Sequence, residues 1–152
     1  MLSYRICRLP FIAIDGEGAR RYGGRWNSVG RSVVYSSGTL SLAALEYLIH
    51  VDAKNAPADL VALTIEIPKA LPIDHVPHDT LPQGWQEIVD VPACRTVGDE
   101  WLARRSSAVL AVPSAAVMSE RNYLINPVHP DAVSIRVIEQ RAFSFDPRLM
   151  RR

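Results

Sequence analysis

Between Tyr22 and His50 the chain reads Y-G-G-R-W-N-S-V-G-R-S-V-V-Y-S-S-G-T-L-S-L-A-A-L-E-Y-L-I-H, and this stretch limits the fold more than any other. Gly23 and Gly24 precede Arg25, Trp26 and Asn27, and paired glycines let the backbone come close to a ligand. A short apolar strand at Ser32 to Ser36 follows and stops at Gly38-Thr39. Leu40 to His50 then reads as a helix with Thr39 as its N-cap. That helix carries a single acid, Glu46. An arginine fork suited to phosphate, a buried strand and an acid one element later form the layout of a site.

Each of these residues also has a plainer reading. At 100° per residue, Leu42, Leu45, Leu48 and Ile49 fall in an arc of about 120°, and Glu46 lies about 40° beyond Leu42. A carboxylate at the edge of an apolar arc either reaches water or sits in a cleft where partial burial makes it reactive. Arg25 either holds a diphosphate or flanks Trp26 on the surface. Tyr35, in V-V-Y-S-S, is a core tyrosine with its hydroxyl at an edge, or a site residue. Ser114, after a buried strand and a proline, either contacts a ligand or caps the next turn.

The rest of the chain supplies a sheet. Leu2 to Arg8 reads as a strand with Tyr4 and Ile6 on one face and Arg5 and Cys7 on the other. Residues 9–24 hold Pro10 and four of the eight glycines and are expected to form a loop. Asp59 to Pro68 is a strand in which Val61, Leu63, Ile65 and Ile67 alternate with Ala62, Thr64 and Glu66. Residues 68–92 carry five prolines and read as a long covering connection with at most a helical turn near Trp85. Thr96 to Asp99 looks like a capping T-x-x-D that begins a helix running to about Ser106. Ala108 to Val112 is a buried strand, Asn122 to Asn126 a short polar-ended segment, and Val133 to Phe145 one or two final strands. Unequal strands with irregular connections indicate a single α+β domain over residues 1–152, with a core at about 2–145 and a short basic tail.

A formal charge of +1 leaves no broad basic field for nucleic acid or an anionic membrane. Cys7 and Cys94 have no C-x-x-C partner and read as free thiols in a reducing compartment. No run reaches the roughly 18 apolar residues of a membrane span, and the N-terminus lacks an apolar secretory region, so a cytoplasmic protein is expected. His129 and Asp131 lack the G-x-S-x-G that a Ser-His-Asp hydrolase of that type would show. His75 and His78 lack further metal ligands, and neither nucleotide-loop motif is satisfied.

Y-R-I-C-R at 4–8, G-G-R-W-N-S-V-G at 23–30, V-V-Y-S-S at 33–37 and S-L-A-A-L-E at 41–46 occur in that order. They are followed by G-D-E-W-L at 98–102, V-P-S-A at 112–115 and N-Y-L-I-N-P-V-H-P-D at 122–131. This series resembles the RES domain, the toxin half of a bacterial toxin–antitoxin pair. The resemblance implies a fold related to ADP-ribosyltransferases and an activity that consumes NAD+ as substrate, with no metal and no resident cofactor. Water, phosphate or a protein could serve as acceptor. By position Arg25, Glu46 and Ser114 match the residues that name the family, Tyr35 matches a site tyrosine, and Arg5 and Asn126 are weaker matches for substrate binding. The implied partner is a helix-turn-helix antitoxin of the Xre type that covers the active site and brings DNA contact only indirectly. A toxin homodimer inside a larger complex is also implied; the alternatives to NAD+ depletion are an ADP-ribosyltransferase that modifies a specific cellular protein and a non-catalytic antitoxin-binding module.

Overall fold

Leu2–Arg8 (β1), Val34–Ser37 (β2), Leu60–Glu66 (β3), Ile73–His75 (β4), Val109–Pro113 (β5), Arg121–Ile125 (β6) and Arg136–Ala142 (β7) pair into one seven-stranded sheet. The computed structural model describes residues 1–51, 57–87 and 92–150; Arg151 and Arg152 of the basic tail, and residues 88–91 of the long connection, lie outside the described residues. The order is β4-β5-β6-β2-β1-β3-β7, with β4 parallel to β5 and the other pairs antiparallel. With helices Glu17–Tyr22 (α1), Leu40–His50 (α2) and Pro92–Arg104 (α3), the architecture is α+β, as the sequence indicates.

The sheet has a seam. β1 and β3 pair all the way from Leu2 with Glu66 to Arg8 with Leu60. β1 and β2 meet only where Tyr4 faces Ser37. The sheet is therefore two halves, β4-β5-β6-β2 and β1-β3-β7. Ala43, Ala44 and Tyr47 of α2 cover Tyr4, Ile6, Leu60 and Ala62 on one half. Cys94, Trp101 and Leu102 of α3, with Trp26 and Trp85, cover Leu110, Val112 and Leu124 on the other. Register pairs Tyr4 with Ser37 and Ser37 with Asn122, so both helices lie on the same face with the seam between them. The opposite face is a separate core of Cys7, Val34, Val61, Leu63, Ile65, Val109 and Ile125.

Several elements differ from the sequence reading for definable reasons. The expected loop at 9–24 contains α1, because the Asp15 carboxylate accepts from Glu17 N at 3.0 Å. Glu17 in turn bonds Arg20 at 2.6 Å and Arg21 at 2.7 Å, which holds its carboxyl down at about 2. The connection 68–92 contributes β4, an edge strand that only the parallel pairing with β5 reveals. α3 begins at Pro92 rather than Thr96, since proline is favoured in a first helical turn. Thr96 Oγ1 then donates to Pro92 O at 3.1 Å, and Asp99 turns outward to Ser28 instead of capping.

α2 begins and ends as read, with Thr39 Oγ1 accepting from Leu42 N at 3.1 Å. Its core face is different. Leu45 and Ile49 are exposed, because Ala43, Ala44 and Tyr47 face the sheet and Leu42 is buried on the flank beside Glu46. A helix packed on a sheet with small residues comes close to it, and Leu45 and Ile49 of the expected arc are left outside. Val133 to Phe145 resolves into a 3₁₀ turn at Pro130–Ser134 and the single strand β7. Both cysteines are free and buried.

The segment around Trp26 is seated on α3 by a very close approach. A Cβ at Gly98 would lie 1.8 Å from the Trp26 carbonyl oxygen, so only glycine fits there. Gly98→Ala forces the backbone of 24–28 off the helix, an overpacking cost of about 3 kcal/mol. The expected outcome is a Tm lowered by about 6 °C or more in thermal circular dichroism. An unchanged Tm would contradict the contact.

Candidate active site

The start of α2 is fixed beside the β5–β6 connection, where Thr39 Oγ1 donates to Glu120 Oε2 at 2.8 Å. Two turns on, Glu46 is half-buried and reaches back over the seam to the other half of the sheet. Its Oε1 accepts from Ser114 Oγ at 2.9 Å and from Asn122 Nδ2 at 2.6 Å. Ser114 directly follows β5 and is fully buried. Its oxygen also accepts from Ala116 N at 3.0 Å and Val117 N at 3.1 Å. Ser114 thus caps the next turn, and with its remaining proton it holds the acid. A hydroxyl has one donor and two acceptor positions, and all three are used here. Asn122 is itself held, its Oδ1 accepting from Ser37 Oγ at 2.7 Å.

Tyr35 lies two residues back from Ser37 on β2 and on the same face, about 6.6 Å away along the strand. Its hydroxyl donates to Asn27 Oδ1 at 2.7 Å and accepts from Trp26 N at 3.1 Å. Burial pushes this phenol well above the ordinary tyrosine range, so it stays a neutral donor. A Cβ on Gly24 would sit 2.5 Å from the Tyr35 hydroxyl oxygen. The second glycine of the pair is thus required by a protein contact, the tyrosine that anchors the turn. The Asn27 amide completes the anchoring by donating to the carbonyls of Ala19, Ser28 and Arg31 at 3.0–3.1 Å. Asp99 of α3 accepts from Ser28 N at 3.0 Å and from Ser28 Oγ at 2.6 Å.

Arg25 projects from this anchored turn. Nη1 donates to Trp85 O at 2.5 Å and Nη2 to Glu87 O at 3.1 Å. Neutral carbonyls orient the guanidinium without cancelling its charge. The charge is felt nearby: burial pushes the Cys94 thiol up, and Arg25 acts against that rise.

The structure therefore brings Glu46 and Ser114 together, and places Tyr35 with Arg25 further along the same face. Arg5 and Asn126 stand apart. Arg5 alternates with Tyr4 and Ile6, so it points to the opposite face beside Cys7, where it acts on the buried thiol. Asn126 follows the far end of β6, buried, with Oδ1 accepting from Val128 N at 3.2 Å. Its Nδ2 has no hydrogen-bond partner among the described residues. The sequence reading did not single out Asn122 or Ser37. Alternation with Leu124 was the available signal for the face Asn122 occupies, but its pairing with Ser37 depends on register between strands 85 residues apart. Among the described residues no cluster of three or more His, Cys, Asp or Glu is arranged to hold a metal ion.

Comparison with known proteins agrees with this architecture. The sequence matches the RES domain family over residues 2–146. It is 38% identical to a Photorhabdus laumondii protein named Toxin Res, covering 99% of this chain and 98% of that one. It is 35% identical to a Sphingobium protein named Prs ADP-ribosylating toxin, covering 91% and 88% respectively. The fold is similar to a chain in the crystal structure of the M. tuberculosis MbcT–MbcA toxin–antitoxin complex, with a TM-score of 0.77, 20% identity, and 98% and 86% of the two chains covered. With a match over nearly its whole length and relatives of this identity, the chain belongs to the RES domain family.

Proposed function

We propose that this protein is the toxin of a toxin–antitoxin pair and depletes NAD+ by breaking the nicotinamide–ribose bond. The observation that carries the reading is Glu46, a half-buried carboxylate pinned through one oxygen on the same sheet face as Tyr35 and the Arg25 turn. The oriented, charged guanidinium of Arg25 suits the pyrophosphate of a dinucleotide. Cleavage sends the C1′–N1 bonding pair to the nicotinamide ring nitrogen and leaves a cationic, oxocarbenium-like ribose. The Glu46 carboxylate stabilises that charge where it develops. Water or phosphate then bonds to C1′, with Glu46 placed to orient it; an attacking water loses its proton to solvent. Nicotinamide departs neutral from a cationic ring, so no general acid is required.

The names of the relatives support a toxin that works with a partner: Toxin Res for one, and a toxin–antitoxin complex for the solved neighbour. An antitoxin that covers the face between α2 and α3 would silence the activity. Transfer of ADP-ribose to a protein is the second reading, favoured by the name of the Sphingobium relative. No helix among the described residues is long and apolar enough to cross a membrane.

Purified protein without antitoxin is expected to release nicotinamide from NAD+, and a chromatographic assay with and without phosphate names the acceptor. Free ADP-ribose or its phosphorylated form as the main product supports depletion. ADP-ribose found chiefly on a protein by mass spectrometry supports transfer. Glu46→Gln keeps an oxygen to accept from Ser114 and Asn122 while removing the charge, and is expected to lower kcat at least about 100-fold. Arg25→Lys keeps the charge and loses the fork, and is expected to raise KM for NAD+ about 10-fold. Wild-type turnover in Glu46→Gln would remove that residue from the chemistry.

A further inference from the structure

Asn122 touches the acid and Ser37 touches Asn122, so both are committed to Glu46 by geometry, one directly and one through the other. Oε1 of Glu46 receives two donors, at 2.6 Å from Asn122 and 2.9 Å from Ser114, and among the described residues Oε2 receives none. The Asn122 amide has an oxygen end and a nitrogen end. Ser37 Oγ gives its proton to the oxygen end at 2.7 Å, which aims the NH₂ at the carboxylate. A flipped amide would set its oxygen against the carboxylate oxygen. Ser37 is almost fully buried, and its register opposite Asn122 on β6 is fixed by the sheet.

We infer that Ser37 and Asn122 are positioning residues for Glu46: Ser37 orients the amide, and the amide with the Ser114 hydroxyl pins Oε1 so that Oε2 alone faces the reacting ribose. This rests on the reading that Glu46 acts on NAD+. Ser114 belongs to the same device, because its only proton is given to Glu46 and its lone pairs to two backbone N–H groups. The anchors sit on the β4-β5-β6-β2 half, whereas α2 packs on the β1-β3-β7 half. The position of the carboxylate is thus set from across the seam. A misplacement of about 1 Å costs about 100-fold in rate for an oriented catalytic group.

The test uses the full chain with Asn122→Ala, Ser37→Ala and Ser37→Thr, the last keeping the hydroxyl, each assayed for nicotinamide release and thermal stability. Asn122→Ala is expected to lower kcat about 100-fold with KM for NAD+ within about twofold. Ser37→Ala is expected to lower kcat about 10-fold, and Ser37→Thr to restore it to within about threefold. Ser37→Ala carries the test if Asn122→Ala does not fold. A kcat within about twofold of wild type in a folded Asn122→Ala or Ser37→Ala protein overturns the inference, as does a loss that appears in KM alone. A crystal structure of the same variant gives a readout independent of turnover. Glu46 swung away from Ser114 supports the positioning role, and Glu46 unmoved overturns it. Absence of nicotinamide release from the unmodified protein would defeat the NAD+ reading instead, leaving the crystal structure to decide the positioning role.

Discussion

The single pairing of Tyr4 with Ser37 is the joint on which the molecule turns. Elsewhere the strands are bonded along most of their length, but here the two halves of the sheet touch at one point and part on either side. Closure needs help from above. α2 leaves β2 on one half, crosses to lie on β1 and β3 of the other, and sends the Glu46 carboxylate back to Ser114 and Asn122. Hydrogen bonds to a charged group contribute about 1.5–3 kcal/mol each, so this acid ties the halves with one oxygen and keeps the other for the role proposed for it. On the proposed function, one carboxylate serves structure and chemistry through two different atoms.

The Arg25 turn shows the same division of labour. Its glycine, tryptophan and asparagine are occupied with the protein: Gly24 makes room for the Tyr35 hydroxyl, the Trp26 carbonyl rests on Gly98, and the Asn27 amide satisfies three carbonyls. Such saturation costs several exacting contacts and yields a rigid platform. What the platform presents is a guanidinium fixed by two carbonyls, with charge undiminished. A cation and an anion held on one face, separated by Tyr35 and Ser37, suit a substrate that carries a pyrophosphate at one end and a developing ribosyl cation at the other.

The limits of α2, the strand from Leu2 to Arg8 and the α+β class were legible because they rest on local signals: a threonine cap, alternation, and unequal connections. α1 was not, since its stabilisation comes from Asp15 and from Glu17 pairing with Arg20 and Arg21, inside a stretch whose glycines suggest a loop. β4 and the outward turn of Leu45 and Ile49 depend on partners far along the chain. In the site, the sequence pointed to Glu46 and Ser114 separately, but their 2.9 Å contact spans 68 residues and only the fold closes it. Ser37 and Asn122 were invisible for the same reason. The opposite direction of Arg5 was already written in its alternation with Tyr4 and Ile6.

The two faces of the sheet provide a decisive observation. A crystal of Glu46→Gln soaked with NAD+ holds an uncleaved substrate, and the dinucleotide is expected between α2 and α3, with its pyrophosphate at Arg25 and the nicotinamide ribose beside residue 46. NAD+ bound across the other face, at Arg5 and Ser36, or not bound at all, would contradict the assignment of the site to Glu46 and Arg25.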